Sequence, residues 1–310
     1  MKYFVFSLLL VFLFSPFSFI NAQQIGVTKD DINIELIPDS PGPYTIVSVL
    51  LTSFSIDVNS TTITWMLDGV KKSSSRGQKN FSFTTGNYGE TSSLRVVVET
   101  INGEVIDKTL KIKPADVDLV WESEGYTPPF YKGKSDFSFQ NMLTFIAVPH
   151  ITGSNGVETS PKNLIYKWKK NGSVIEDASG YGKNSYSVKG SVIARPIDVS
   201  VEVTNLSADT KAIGSLFVTP KDPLVLLYEK NPFYGKQVPN SPELIYKWSI
   251  NGKVVNDNQS ETIEIFRQKE GTSGTSNISL SIENTDEILQ LAKNIFQINF
   301  GEKTNEQTQF

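Results

Sequence analysis

The segment Ile63-Thr64-Trp65-Met66-Leu67-Asp68-Gly69 decides the fold, because the chain uses its pattern again further on. It returns as Ile165-Tyr166-Lys167-Trp168-Lys169-Lys170-Asn171-Gly172 and as Ile245-Tyr246-Lys247-Trp248-Ser249-Ile250-Asn251-Gly252. In every copy a tryptophan on an apolar-rich strand stands three residues before Asp-Gly or Asn-Gly. Such pairs form two-residue hairpin turns, in which both central positions take positive φ.

Working outward, each copy is followed by an alternating strand that ends at a glutamate. These are Leu94, Val96 and Val98 before Glu99, then Val199 and Val201 before Glu202, then Ile278, Leu280 and Ile282 before Glu283. From tryptophan to last apolar residue the spacing is 33 residues in the first two copies and 34 in the third. Between them lie Phe81 and Phe83, Tyr186 and Val188, and Ile263 and Ile265. Closing strands follow around Leu110, Leu216 and Phe296. Period-2 alternation with regular turn signals predicts an all-β chain of tandem immunoglobulin-like antiparallel β-sandwiches. The recurring Trp65, Trp168 and Trp248 are then core residues, since one strand position kept for one large ring is a packing requirement.

Opening strands repeat too. Asp118-Leu119-Val120-Trp121-Glu122 leads to Pro129-Phe130-Tyr131-Lys132-Gly133-Lys134, and Val225-Leu226-Leu227-Tyr228-Glu229 leads to Pro232-Phe233-Tyr234-Gly235-Lys236. Pro114 and Pro220 precede them and mark strand ends, because proline has no N–H for a ladder. The domains are therefore 23–115, 116–220 and 221–301, with a polar tail over 302–310. The third is truncated: Trp121 lies 47 residues before Trp168, whereas Tyr228 lies only 20 before Trp248. The missing stretch corresponds to Phe137–His150, the second strand of the middle domain.

Residues 1–22 read as a secretory signal peptide. Lys2 precedes the apolar run Tyr3–Phe14, Pro16 breaks it, and Asn21-Ala22 offers a cleavage site. The run is shorter than the roughly 20 residues that a spanning helix needs. Export to the extracellular space or cell envelope follows, with no transmembrane segment left after cleavage.

The Tyr-Lys-Trp-x-x-Asn-Gly strand resembles the bacterial immunoglobulin-like and polycystic-kidney-disease-like (PKD-like) repeat domains of envelope proteins. The Leu-Val-Trp-Glu … Pro-Pro-Phe-Tyr-Lys-Gly-Lys stretch is similar to one that recurs in uncharacterised exported proteins of candidate-phyla bacteria. Together these cover nearly all of residues 25–301. The Trp-Asp-Phe-Gly-Asp-Gly signature of PKD domains is absent, as Trp65 is followed by Met66-Leu67-Asp68, so immunoglobulin-like and PKD-like topologies both stay open. The resemblance implies a sandwich fold and surface presentation.

Composition removes most chemistry. The 310 residues hold no cysteine, one histidine and a formal net charge of −4 from 29 basic and 33 acidic residues. Disulfides, thiolate metal sites and thiol nucleophiles are excluded, and His150 is the only imidazole. The charge balance lacks the concentrated basic face of a nucleic-acid binder. No serine motif surrounds His150, so it reads as a loop-edge residue. Glu122 and Glu124 share a strand face, as a glycosidase pair does, but no other repeat has the pair; with Asp30-Asp31 they read as solvated acids. Asp116, Asp118, Asp198 and Asp222 fall near the domain junctions without the spacing of a calcium loop, so no metal and no cofactor are expected. The junction aromatics are Trp121, Tyr126, Phe130 and Tyr131, with Tyr228, Phe233 and Tyr234. They either pack neighbouring domains or stack on sugars.

The expected function is a non-enzymatic structural or adhesive surface protein within an envelope or pilus-like assembly. Its partner is a protein, met by strand addition at the third domain; the alternative is a carbohydrate-binding surface protein with a glycan ligand. Mass spectrometry of the secreted chain should find Gln23 at its N-terminus, and a retained Lys2 would refute cleavage.

Overall fold

The computed structural model describes residues 28–125, 127, 132–153, 156–193, 195–225, 243–256, 269 and 271–301. Each of the three turn pairs closes a hairpin. Asp68 and Gly69 have φ of 50° and 78°, Asn171 and Gly172 48° and 81°, and Asn251 and Gly252 48° and 83°. Glycine and Asp/Asn are the residues that tolerate this region. The first turn residue also clamps a second hairpin. Asp68 N–H donates to the Ser93 carbonyl and its Oδ1 accepts from Ser93 N–H (2.9 and 2.7 Å). Asn171 makes the same pair with Asp198 (2.8 and 3.0 Å) and Asn251 with Asn277 (2.8 and 2.9 Å).

These turns organise one sheet per repeat. In the first, β3 (Thr62–Leu67) lies between β4 (Val70–Arg76) and β6 (Ser92–Glu99), and β7 (Val105–Ile112) closes the edge. Facing it is a sheet of β1 (Asn33–Ile37), β2 (Ile46–Thr52) and β5 (Asn80–Thr84), in that order. The second repeat pairs β10 (Ile165–Lys170) with β14 (Ile197–Thr204), then β15 (Lys211–Val218), with the short β11 (Ser173–Val174) and β12 (Gly180–Tyr181) also on β10. Its other sheet has the order β13 (Ser185–Lys189), β9 (Met142–His150), β8 (Asp116–Ser123). In the third, β17 (Lys253–Asn256), β16 (Leu244–Ile250), β18 (Gly274–Asn284) and β19 (Leu291–Phe300) form one sheet in the order of the first repeat's β4-β3-β6-β7. The Ile263/Ile265 match and Tyr228 lie outside the described residues. Among the described residues, helix is confined to 3₁₀ turns such as Pro161–Asn163, and no helix is long and apolar enough to cross a membrane.

Tandem immunoglobulin-like antiparallel sandwiches are thus the architecture. The constant-type arrangement places four strands beside the first and three opposite; here the division is reversed, because β4 joins β3 and leaves three strands on the first sheet.

Each tryptophan sits at the centre of its core. Trp65 faces Val96 across the ladder, Trp168 faces Val201 and Trp248 faces Leu280. Trp65 and Trp168 are 0% exposed and Trp248 4%. The Trp65 ring stacks on Phe81 at 5.4 Å, and Trp168 meets Tyr186 at 5.9 Å. Around Trp168 the alternate residues Val199, Val201 and Val203 are fully buried. Around Trp248 the flanking Ile250, Ile282, Phe296 and Ile298 are only partly buried.

By compactness the chain forms two units. The first holds the described part of Met1–Ile37 with Ser48–Phe83 and Ser92–Lys111; the second holds Pro38–Val47, Thr84–Thr91 and the described residues from Ile112 onward. Two loop segments of the first repeat, and the whole of the second and third, thus belong to one unit.

Truncating Trp168 to alanine removes a fully enclosed ring and should cost about 3 to 5 kcal/mol in urea denaturation. Asn171→Gly keeps the turn's φ but removes the side-chain clamp, and should cost about 1 kcal/mol.

Candidate functional site

Within the second unit, the polar groups that could do chemistry gather at two places. At the first, Pro41, Thr84–Thr91 and the start of β8 meet. Ala115 N–H donates to the Pro41 carbonyl (3.0 Å), and Thr85 Oγ1 to the Gly42 carbonyl (2.7 Å). This docks Tyr88, whose hydroxyl donates to Asp116 Oδ2 at 2.6 Å. Burial, and then the Asp116 carboxylate, push the Tyr88 phenol pKa well above its ordinary value, so it stays a neutral donor. Its ring lies 5.7 Å from that of His150. His150 has Asp118 Oδ2 3.4 Å from Nε2 and Glu158 Oε1 3.3 Å from Nδ1. Glu158 is brought there by a bridge to Thr152 just beyond β9.

A general base needs a free imidazole nitrogen facing a substrate or nucleophile. Both His150 nitrogens face carboxylates instead. Among the described residues no three His, Asp or Glu side chains gather to hold a metal ion. Asp116 and Asp118 lie with Tyr88 and His150, whereas the Asp198 backbone is engaged by the Asn171 turn.

Two ion pairs belong to the same region, Lys211 with Asp39 (2.5 Å) and Lys113 with Asp209 (3.3 Å). Asp209 Oδ1 also accepts from Asn205 Nδ2 (2.6 Å) and Thr210 Oγ1 (3.0 Å). These bonds, Asn205 foremost, lower its pKa to about 2.

The second place lies between the β8/β9/β13 sheet and the loop joining β18 to β19. Gln140 Nε2 donates to the Ile288 carbonyl (2.5 Å) and Gln290 Nε2 to that of Phe139 (3.2 Å). Lys189 pairs with Glu287. Lys221 N–H donates to the Phe137 carbonyl (2.7 Å), and its Nζ pairs with Asp136 (3.0 Å). A polar cleft of about 370 Å³ remains here, lined by Glu124, Asn141 and Met142 on one side and Asn284, Glu287 and Gln290 on the other.

Of the junction aromatics only Trp121 falls among the described residues; Tyr126, Phe130, Tyr131, Tyr228, Phe233 and Tyr234 lie outside them. Trp121 is partly buried against the core of the second sandwich, and Lys134 Nζ stands 3.4 Å from its ring centroid. Glu122 is exposed on β8, while Glu124, beyond its end, lines the cleft. The Asn171-type clamps and the two glutamines were not singled out by sequence reasoning. The clamps had a signal, since Asp or Asn recurs at the first turn position. The glutamines had none.

The fold defines a class, tandem immunoglobulin-like modules. No protein-family model matches the sequence, and no curated protein does. Similar solved structures include the fibronectin(III)-like modules of Clostridium thermocellum CbhA, 14% identical over 61% of this chain and 94% of that one, with a TM-score of 0.29. The central fibronectin-III array of RIM-binding protein is 11% identical over 90% and 100%, with a TM-score of 0.27. Three N-terminal domains of the bacteriophage RB49 Highly Immunogenic Outer Capsid protein are 13% identical over 87% and 94%, with a TM-score of 0.26.

A carboxyl whose folded-state pKa is depressed stabilises the fold above its unfolded value, and that contribution is lost as pH falls through the folded value. Asp209 should therefore destabilise the chain between about pH 4 and pH 2. In acid titrations followed by circular dichroism, Asp209→Asn should flatten the stability profile in that window; an unchanged slope would refute the assignment.

Proposed function

We propose that the chain is an exported, non-enzymatic structural or adhesive protein of tandem immunoglobulin-like modules, presented at a cell surface or in an envelope or pilus-like assembly. The observation that carries this reading is how the polar side chains between successive sandwiches are used. Gln140, Gln290, Lys189 with Glu287 and Lys221 with Asp136 engage one another's modules. His150, the chain's single imidazole, faces Asp118 and Glu158 of its own module. Polar groups used in this way hold modules together, as a structural repeat protein requires. The sugar-binding alternative is weakened at Trp121, whose ring face is already covered by Lys134.

The partner mode we favour is strand addition at the third repeat. Its sequence has no counterpart of Phe137–His150, the stretch that contains β9. In the second sandwich β9 is the central strand, between β13 and β8. Loss of a central strand leaves both neighbours without a ladder partner, and such edges recruit a strand from another chain.

The mature chain should associate with rising concentration in light scattering, and a synthetic peptide of residues 137–150 should bind it saturably and suppress that association. A chain that stays monomeric and binds the peptide no better than its scrambled form would refute strand addition. On a glycan array, Trp121→Ala should change nothing; sugar binding that this variant abolishes would favour the alternative.

A further inference from the structure

His150 closes β9 with a carboxylate on either side of its ring. Asp118 Oδ2 lies 3.4 Å from Nε2, and Glu158 Oε1 lies 3.3 Å from Nδ1. A neutral imidazole has one N–H and one lone pair, so it serves one of these acids and turns its lone pair on the other. The imidazolium has two N–H groups and satisfies both. The arrangement is complete in one protonation state only.

The other ionisable group against the ring is Tyr88, from the segment Thr84–Thr91, with ring centroids 5.7 Å apart. Its hydroxyl donates to Asp116 Oδ2, and Asp116 Oδ1 is buried without a hydrogen-bond partner. After burial, the carboxylates of Asp116, Asp118 and Glu158 all raise the Tyr88 phenol pKa, so three acids act on one hydroxyl. Among the described residues none of the three forms an ion pair with a lysine or arginine. The charge that offsets them at contact distance is therefore the proton on His150. Two chain segments depend on it. Asp118 is fixed in the β8–β9 ladder opposite Val148, whereas the exposed Glu158 is carried on a short paired stretch beyond β9. There Thr159 N–H donates to the Ile151 carbonyl (2.7 Å) and Gly153 N–H to that of Val157 (2.8 Å). A Cβ on Gly89 would stand 3.2 Å from the Gly156 carbonyl, so the Tyr88 loop rests directly on this stretch.

We propose that His150 is a proton-operated latch within the second unit. Protonated, it joins Asp118 to Glu158 and steadies the Tyr88 loop on β8; neutral, it releases the Glu158 side, the less firmly held of the two. The attraction is present while the imidazole carries its second proton and is lost as pH rises through its titration. Histidine changes charge between about pH 5 and pH 8, so the contact is firmer in mildly acidic surroundings than in mildly alkaline ones. The latch is independent of strand addition in the third repeat.

The test is native-state hydrogen exchange of the full mature chain between about pH 5.5 and pH 8, corrected for the intrinsic pH dependence of exchange. The amides of Gly153 and Thr159 report the stretch that carries Glu158, and that of Ala115, bonded to the Pro41 carbonyl, reports the neighbouring docked segment. Their protection should be about three- to five-fold greater at the acidic end, the scale of a partly exposed ion pair. The change should follow the ring signal of His150, which is unambiguous in a chain with one histidine. The Asn171 amide, bonded to the Asp198 carbonyl away from these groups, should not change. In His150→Gln, which carries no charge, the three reporters should exchange at the faster rate throughout. Should that variant lose the fold, the surface change Glu158→Gln takes its place, and it should abolish the pH dependence at Gly153 and Thr159. Equal protection at both ends of the range would overturn the proposal. So would a pH dependence that survives in the variant, or one that the Asn171 amide shares.

Discussion

Each of the first two sandwiches depends on one buried hydrogen bond. Trp65 Nε1 donates to the Gln78 carbonyl, and Trp168 Nε1 to the Lys183 carbonyl, both at 2.9 Å. A buried indole N–H must find an acceptor or lose the cost of its desolvation. In both sandwiches the acceptor lies on the chain entering β5 or β13, in the opposite sheet. A ring anchored on one sheet is thus bonded to the chain just before an edge strand of the other. In a chain without cysteine, this contact stands where an inter-sheet disulfide otherwise would.

The turn clamp acts in concert with it. Three residues beyond the tryptophan, the Asp or Asn side chain closes onto Ser93 of β6, Asp198 of β14 or Asn277 of β18. Tryptophan and clamp together fix the register of the central strand pair from its turn end. A one-residue slip would turn the alternating valines outward and expose the indole. This coupling explains why spacing, rather than identity, is what the repeats keep.

Little chemistry was available in this composition. His150 could be identified as the sole imidazole, yet its flanking acids come from β8 and from the bridge beyond β9. Glu122 and Glu124 looked alike, but strand exposure holds one in water and the end of β8 puts the other at a cleft.

The amino-acid sequence by itself determined the local matters: alternating strands, hairpin turns at Asp68, Asn171 and Asn251, and a repeated large ring for each core. These are legible because side-chain periodicity and turn φ are set within a few residues. Tertiary structure alone decided which sheet β4 joins, that Lys134 covers Trp121, and that Gln140 and Gln290 bridge two modules. Those outcomes depend on hydrogen-bonding groups far apart in the chain. Which distant donor meets which acceptor follows from the packing of whole sheets, and no local pattern encodes it.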